Sequence, residues 1–138
     1  MPMENWNQWG DPHASAIVFA AKDVDIRIVC FDVTIGLVMT RGEVERAFDT
    51  PLLKCVADFG IGWFEGSPIM TFHDPLAGAC AFDHGLCTWQ RGRVTVDVLN
   101  EQSWGMTDFI PDENGNCLAA RTVDREGFFK EYFSVTKG

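Results

Sequence analysis

The residues best suited to chemistry are concentrated in the segment Thr71-Phe72-His73-Asp74-Pro75-Leu76-Ala77. An imidazole and a carboxylate are adjacent there, at the point where the chain enters an apolar, helix-forming run. An imidazole titrates near neutral pH and can give a proton to a leaving group, whereas a carboxylate suits a hard cation. His73 and Asp74 are therefore the first candidates for a catalytic residue and a metal ligand.

Both residues also have an ordinary structural explanation. An aspartate followed by proline commonly opens a helix, with the aspartate as the N-cap, and Asp11-Pro12 stands in the same setting as Asp74-Pro75. Capping alone would account for Asp74. A helix does not require a histidine before its cap, although a single histidine is more often a satisfied polar residue than a catalyst.

A second group of candidates consists of side chains that could hold a sugar or a planar ring. Asn5 and Asn7 lie in a predicted loop just before the first helix, and carboxamides both donate and accept hydrogen bonds, as a sugar diol requires. Asparagine is also frequent in loops for conformational reasons. Most aromatic residues are expected in the core, but Trp63 and Phe64 are flanked by glycines, so we expect these two to be exposed and able to act as stacking partners.

Other potential metal ligands fit structural roles better. Cys80, His84 and Cys87 could be ligands of zinc, but a closed zinc site needs four ligands and the surrounding run resembles a packed core. The acidic residues around Asp23-Val24-Asp25 and Asp108 lack the ligand spacing of a calcium loop and are more simply solvated turns.

The composition narrows the classes of partner. With 138 residues the chain is the size of one domain. Its formal charge of −9, without a cluster of basic residues, argues against binding to nucleic acid.

No apolar stretch is long enough to span a membrane and no signal-peptide pattern is present, so we expect a cytoplasmic protein. The five cysteines are odd in number and irregularly spaced, which predicts reduced thiols in a core.

The pattern of apolar residues predicts a mixed α/β fold. Capping residues and helical spacing predict five helices, over 13–22, 41–48, 50–64 with Gly60 and Gly62 near its end, 76–82, and a last one after Asp124. β-rich runs predict four strands, the first of them in a parallel sheet and the last three a meander at a sheet edge, over 26–31, 94–99, 104–110 and 118–123.

Taken in order, several of these segments resemble the carboxyl-terminal portion of the inosine-uridine nucleoside hydrolase family. The matching stretches are Asn7 with Asp11-Pro12, Ala14 and Val18-Phe19; Phe31-Asp32-Val33-Thr34; His73-Asp74-Pro75-Leu76-Ala77; Val96-Asp97-Val98; Gly105-Met106-Thr107 with Asp108; and Val123-Asp124 to Phe128. Each is weak alone, but the ordered set covers nearly the whole chain.

The resemblance implies an enzyme that hydrolyses the N-glycosidic bond of purine or pyrimidine ribonucleosides, in nucleoside catabolism and salvage. It implies an open mixed sheet with flanking helices and a calcium ion. His73 would assist departure of the base, Asp74 would bind calcium, and Asn7 and Asn5 would contact the ribose. Trp63 is a further candidate for binding the substrate.

The family's amino-terminal aspartate cluster, which supplies most of the calcium ligands, has no counterpart in this sequence. We therefore expect 1–138 to be a single domain that represents the carboxyl-terminal part of the fold, weak in calcium binding and activity when isolated. The expected partners are a ribonucleoside and either a second copy of the chain or a complementing amino-terminal half. The alternative is a noncatalytic α/β binding or interaction domain derived from the family.

Overall fold

A computed structural model describes residues 6–138. The helices are α1 Trp6–Gly10, α2 Pro12–Ala20, α3 Phe31–Thr34, α4 Arg41–Ala47, α5 Pro51–Gly66, α6 His73–Phe82 and α7 Arg125–Thr136, with a 3₁₀ turn at His84–Leu86. The strands are β1 Ile26–Ile28, β2 Val38–Thr40, β3 Ile69–Thr71, β4 Cys87–Val96, β5 Thr107–Pro111 and β6 Cys117–Val123. The fold is thus mixed α/β, as predicted.

The chain divides into two compact units, and their boundaries are discontinuous in sequence. Within the described residues, unit 1 contains 6–31 and 88–122, and unit 2 contains 32–87 and 123–138. The expectation that 1–138 forms a single domain stays a prediction.

Unit 1 is built on a four-stranded sheet in the order β1-β6-β4-β5. β1 and β6 are parallel, with Ile26 opposite Cys117, whereas β4 and β5 are antiparallel. The predicted parallel pairing and open mixed sheet are confirmed. The predicted meander is wrong, because β4 rather than β5 lies in the middle of the last three strands.

Two glycines explain how β4 is accommodated. A Cβ on Gly92 would lie 2.5 Å from the carbonyl oxygen of Ile110, and one on Gly115 would lie 2.0 Å from the carbonyl oxygen of Gly92. Neither approach leaves room for a side chain.

β4 begins at Cys87, well before the predicted start at Val94. The sequence did not predict the first half of this strand because that half is polar and gives little apolar signal.

Unit 2 packs α4 to α7, most of α3 and a two-stranded antiparallel sheet around an aromatic core. β2 and β3 pair with Met39 opposite Met70. The side chains that are almost fully buried include Leu37, Val44, Leu53, Leu76 and Phe128. Phe72 packs edge-on against Phe129 and Tyr132 of α7, with ring centroids 5.1 and 5.3 Å away. The aromatic residues of α7 therefore contribute to this core, with Phe128 fully buried and Phe129, Tyr132 and Phe133 half-buried.

Local capping signals were accurate for most helices. The side chains of Asp11, Thr50 and Asp124 each accept a backbone N–H in the first turn of α2, α5 and α7. α5, however, does not end near Gly60 or Gly62 but continues to Gly66. Gly60 is buried in α5, where an added Cβ would lie 3.0 Å from the Met70 side chain, so this glycine serves close packing.

Two further predictions are corrected at the start of the chain. The strand predicted over 26–31 ends at Ile28, and Phe31 instead begins a short helix. The segment that includes Asn7, predicted as a loop, is helical from Trp6 to Gly10. In both places a run of only a few residues carries too little periodicity to distinguish the two structures.

Three of the five cysteines, Cys80, Cys87 and Cys117, are buried, as predicted. Contrary to the prediction, Cys30 is only half-buried and Cys55 is exposed. Burial raises the pKa of the Cys87 thiol to about 12, which keeps this thiol protonated at neutral pH. Among residues 6–138, no helix is both long and apolar enough to cross a membrane.

Candidate active site

The centre of the candidate site is the junction between β3 and α6. β3 ends at Thr71 and α6 begins at His73. Phe72 lies between them with only 2% of its surface exposed, and its N–H donates to the carbonyl oxygen of Leu37 at 2.9 Å. The anchored Phe72 therefore fixes the backbone on which His73 and Asp74 stand.

His73 makes a close contact with a residue distant in sequence. Its Nδ1 lies 2.6 Å from the hydroxyl oxygen of Thr34, a short hydrogen bond that is partly buried. Thr34 ends α3, is 3% exposed, and its carbonyl accepts the N–H of Leu37 at 2.9 Å. A rigid hydroxyl thus holds one ring nitrogen and couples the tautomer of the imidazole to the direction of the hydroxyl proton.

Asp74 is not the N-cap of α6. The helix starts one residue earlier, at His73, and no side chain caps it. Asp74 lies within the first turn and is exposed. The helix dipole favours a negative charge at this position, but the carboxylate is not engaged in capping. The structural explanation that suffices for Asp11 therefore does not apply to Asp74.

Trp63 stands in the last turn of α5, in the same unit as His73. Its indole N–H donates to the carbonyl oxygen of Ile69 at 2.7 Å, and the side chain remains 58% exposed. The bond ties the end of α5 to the start of β3 while a large part of the ring meets solvent. Trp63 is exposed, as expected, but Phe64 is only partly exposed, and Phe59 and Phe82 are more exposed than either.

Of the two amide candidates, Asn7 belongs to unit 1. Asn7 is exposed on α1, between Trp6 and Trp9, whose ring centroids are 6.1 Å apart. Asn5 lies outside the described residues.

The loop before β5 supports α1. Gly105 has a positive φ of 79°, and a Cβ there would lie 2.7 Å from the Cα of Trp9. Asp97 orders this loop by accepting hydrogen bonds from the N–H groups of Leu99 and Asn100 and from the hydroxyl of Ser103. These bonds lower the pKa of the Asp97 carboxyl.

A complete metal cage is not formed by the part of the chain that is described. Within residues 6–138, no three or more His, Cys, Asp or Glu side chains are grouped so that they could hold a metal ion. Calcium takes six to eight oxygen ligands, so Asp74 could supply only one of the ligands that a complete site needs.

The zinc candidates of the sequence make other contacts. Cys80 and Cys87 pack with their sulfur atoms 3.6 Å apart, and Nδ1 of His84 hydrogen-bonds the carbonyl oxygen of Cys80.

Sequence reasoning missed Thr34. The segment Phe31-Asp32-Val33-Thr34 was recognisable as a motif, but its threonine had no predicted role because its partner is 39 positions further along the chain. The signal that could have found it is a hydroxyl residue at the end of an apolar motif in a protein with a candidate catalytic histidine.

Comparison of the sequence with models of known protein families identifies one family. The sequence model of the inosine-uridine preferring nucleoside hydrolases matches residues 1–130. No match was found among curated proteins.

Three solved structures share the fold. A plant nucleoside hydrolase (PpNRh1) is 24% identical, with a TM-score of 0.82 over 96% of this chain and 47% of its own. A purine-preferring ribonucleoside hydrolase from Gardnerella vaginalis is 29% identical, with a TM-score of 0.76 over 93% of this chain and 44% of its own. An inosine-guanosine nucleoside hydrolase is 18% identical, with a TM-score of 0.80 over 91% and 44%. The chain spans about half the length of these structures.

Proposed function

Because the chain belongs to the inosine-uridine preferring nucleoside hydrolase family, we propose that it is the carboxyl-terminal part of an enzyme that hydrolyses the N-glycosidic bond of ribonucleosides. The observation that carries the proposal is the hydrogen bond between Thr34 and Nδ1 of His73. It restrains an imidazole at the start of a helix, next to an exposed carboxylate that does no capping.

In the proposed reaction, the bond between the anomeric carbon and the base nitrogen breaks, the oxygen of water bonds to that carbon, and the water loses one proton to a base or to solvent. The departing base takes the bonding electron pair and needs a proton, and a positively charged, oxocarbenium-like sugar forms in the transition state. His73 would give this proton. General acid catalysis of this kind typically contributes about 10²–10⁴ in rate.

The other candidates would bind the substrate. Asn7 is exposed, and its amide could both donate to and accept from ribose hydroxyls. We assign a similar role to Asn5. The exposed face of Trp63 could stack on a base, because its N–H is already held by Ile69.

We propose calcium as the metal of the complete enzyme, with Asp74 as one ligand. The described residues do not form the rest of the cage, and the chain spans about half the length of its solved relatives. The remaining ligands would therefore come from a complementing amino-terminal half or from another copy of the chain. We also propose that the protein is located in the cytoplasm, because reduced thiols such as those of the buried Cys80 and Cys87 are maintained there.

Complementation tests this proposal. The chain is assayed with inosine and uridine in the presence of calcium, alone and after co-expression with the amino-terminal half of the Gardnerella vaginalis relative. We expect turnover near background for the chain alone and activity for the pair. His73→Ala should lower the hydrolysis rate of the pair by a factor of about 10²–10⁴. The control is His84→Ala, which removes a histidine that is hydrogen-bonded to the carbonyl oxygen of Cys80 and should leave the rate nearly unchanged.

Calcium titration by calorimetry of the same pair provides an independent measurement. We expect Asp74→Ala to weaken calcium binding and His73→Ala to preserve it. Turnover by the chain alone at the rate of an ordinary hydrolase would contradict the proposed division of the site. A folded pair that binds no calcium and cleaves no nucleoside would favour the noncatalytic binding domain, an alternative that the incomplete cage of the described residues supports.

A further inference from the structure

Unit 1 contains a cavity that the proposed hydrolysis does not use. It has a volume of about 780 Å³ and is lined by the end of α2, the loop before β1, the middle of β4 and the turn before β6. This size falls within the range of small-molecule sites, about 300–1,000 Å³. All of its lining residues belong to unit 1, whereas His73 and Asp74 belong to unit 2.

The position of the cavity in the sheet is distinct from that of a substrate site. Asp25 and Asn116 line it and directly precede β1 and β6, which are parallel. The cavity therefore lies at the amino ends of these two strands. Open α/β sheets bind their substrates at the carboxyl ends, so a ligand here would occupy a second site.

Basic side chains are concentrated in this cavity. The chain has eleven basic and twenty acidic residues, yet three of the eleven, Lys22, Arg91 and Arg93, line one cavity. Arg93 pairs with Asp112 at 2.7 Å. Among the acidic lining residues, Asp25 pairs with Arg27 at 3.4 Å.

Arg93 and Asp25 already form ion pairs, so three other charged residues of the lining remain to contact a ligand. Lys22 and Arg91 are positive and Asp23 is negative, and none of the three has an ion-pair partner among the described residues. The cavity therefore presents a site with a positive surplus and one carboxylate acceptor.

The wall that carries Arg91 is already ordered. Nη1 of Arg91 donates to the carbonyl oxygen of Gly115 at 3.0 Å, which orients a guanidinium that has five N–H donors in all. The side-chain amide of Asn116 donates to the carbonyl oxygens of Phe19 and Ala21 at 2.8 and 2.7 Å. These bonds tie the end of α2 to the turn before β6, so an arriving anion meets a wall that need not rearrange.

We propose that this cavity binds the phosphate monoester of a sugar. The planar guanidinium of Arg91 and the ammonium of Lys22 suit a phosphate group. The carboxylate of Asp23 and the exposed amide of Asn114 suit sugar hydroxyls. Because Lys22 and Arg91 are exposed, salt screens the attraction, and binding is strongest at low ionic strength. The proposal does not depend on the hydrolysis reaction.

Titration of the full chain at low salt, by calorimetry and by NMR, tests the proposal with three probes: ribose 5-phosphate, ribose and inorganic phosphate. We expect ribose 5-phosphate to bind more tightly than inorganic phosphate and ribose to give no detectable binding. Lys22→Gln should weaken binding of ribose 5-phosphate about tenfold, the effect of one charge-assisted hydrogen bond, and Lys22→Glu should weaken it further. Lys130→Gln, at an exposed position on α7, is the matched control and should have no effect.

The possible results separate clearly. Equal affinity for inorganic phosphate and ribose 5-phosphate would overturn the sugar part of the proposal. Absence of binding by the wild-type chain, or binding that Lys22→Glu leaves intact, would overturn the site itself. Chemical-shift changes confined to the amides of 22–25, 91–95 and 114–116 on titration would support it, since these segments line the cavity.

Discussion

Nδ1 of His73 and the hydroxyl of Thr34 are joined across two separate helices of unit 2 by a 2.6 Å hydrogen bond. Thr34 is buried and fixed by its own backbone, so the hydroxyl acts on His73 rather than on substrate. Thr34 is thus a positioning residue for the proposed catalytic imidazole.

Replacing Thr34 by valine tests this role. The variant keeps the shape of the side chain and removes the hydroxyl, and we expect the free energy of unfolding to fall by about 1 kcal/mol. Nitrogen-15 NMR of the imidazole should show a changed tautomer ratio at Nδ1 of His73, a readout that a purely structural role would not alter. Thr34→Ser, which retains a hydroxyl, should restore the wild-type spectrum. An unchanged tautomer ratio in Thr34→Val would contradict the assignment.

The aromatic anchor beneath the site should carry much of the stability of unit 2. Phe72 is 2% exposed and packs on Phe128, Phe129 and Tyr132, so Phe72→Ala should cost about 3–5 kcal/mol of unfolding free energy. Phe82→Ala removes a side chain that is 93% exposed and should change stability by less than about 0.5 kcal/mol. Urea unfolding of both variants measures the difference, and equal effects would show that the Phe72 cluster is not a core.

Two glycines should respond oppositely to alanine. Gly105 has a positive φ and its Cβ would meet the Cα of Trp9, so Gly105→Ala should destabilise by at least about 1–2 kcal/mol. Gly62 lies inside α5 with open space around its Cβ position, and Gly62→Ala should stabilise by about 0.5–1 kcal/mol. Thermal unfolding compares the two, and a stabilising Gly105→Ala would show that the loop adopts another conformation.

Acid should weaken the loop that Asp97 orders. The hydrogen bonds from Ser103 and from the N–H groups of Leu99 and Asn100 favour the charged carboxylate and lower the pKa of Asp97 from its usual value of 3.8. Asp97 therefore stabilises the folded state above that value, and this contribution disappears as pH falls through the lowered pKa of the folded state.

Urea midpoints of the wild-type chain and of Asp97→Asn, measured from pH 7 to pH 2, test this expectation. The wild-type chain should have the higher urea midpoint, and the difference between the two midpoints should be constant near neutral pH and become smaller in acid. A difference that does not depend on pH would contradict the role of the charge.

What the sequence could predict was largely local. The caps at Asp11, Thr50 and Asp124 act within their own first turns, and the apolar spacing of α7 places Phe128 in the core. These signals need only neighbouring residues. His73 and Asp74 are likewise candidates because of their neighbours in the sequence, and their roles stay predictions.

The remainder depended on contacts between distant segments. α6 starts at His73 rather than after an Asp74 cap because Phe72 is anchored by α7 and by the carbonyl of Leu37. β2 and β3 are three residues each and exist through their mutual pairing. The partnership of Thr34 with His73 has no local signature at all.

The parallel pairing of β1 with β6 also bears on how the protein is made. During synthesis β1 leaves the ribosome before its parallel partner β6, and the segment between the two strands includes most of unit 2. β1 therefore remains unpaired until β6 has emerged, and closing so long a loop is slow. Chaperone capture during translation should therefore include the segment that contains β1.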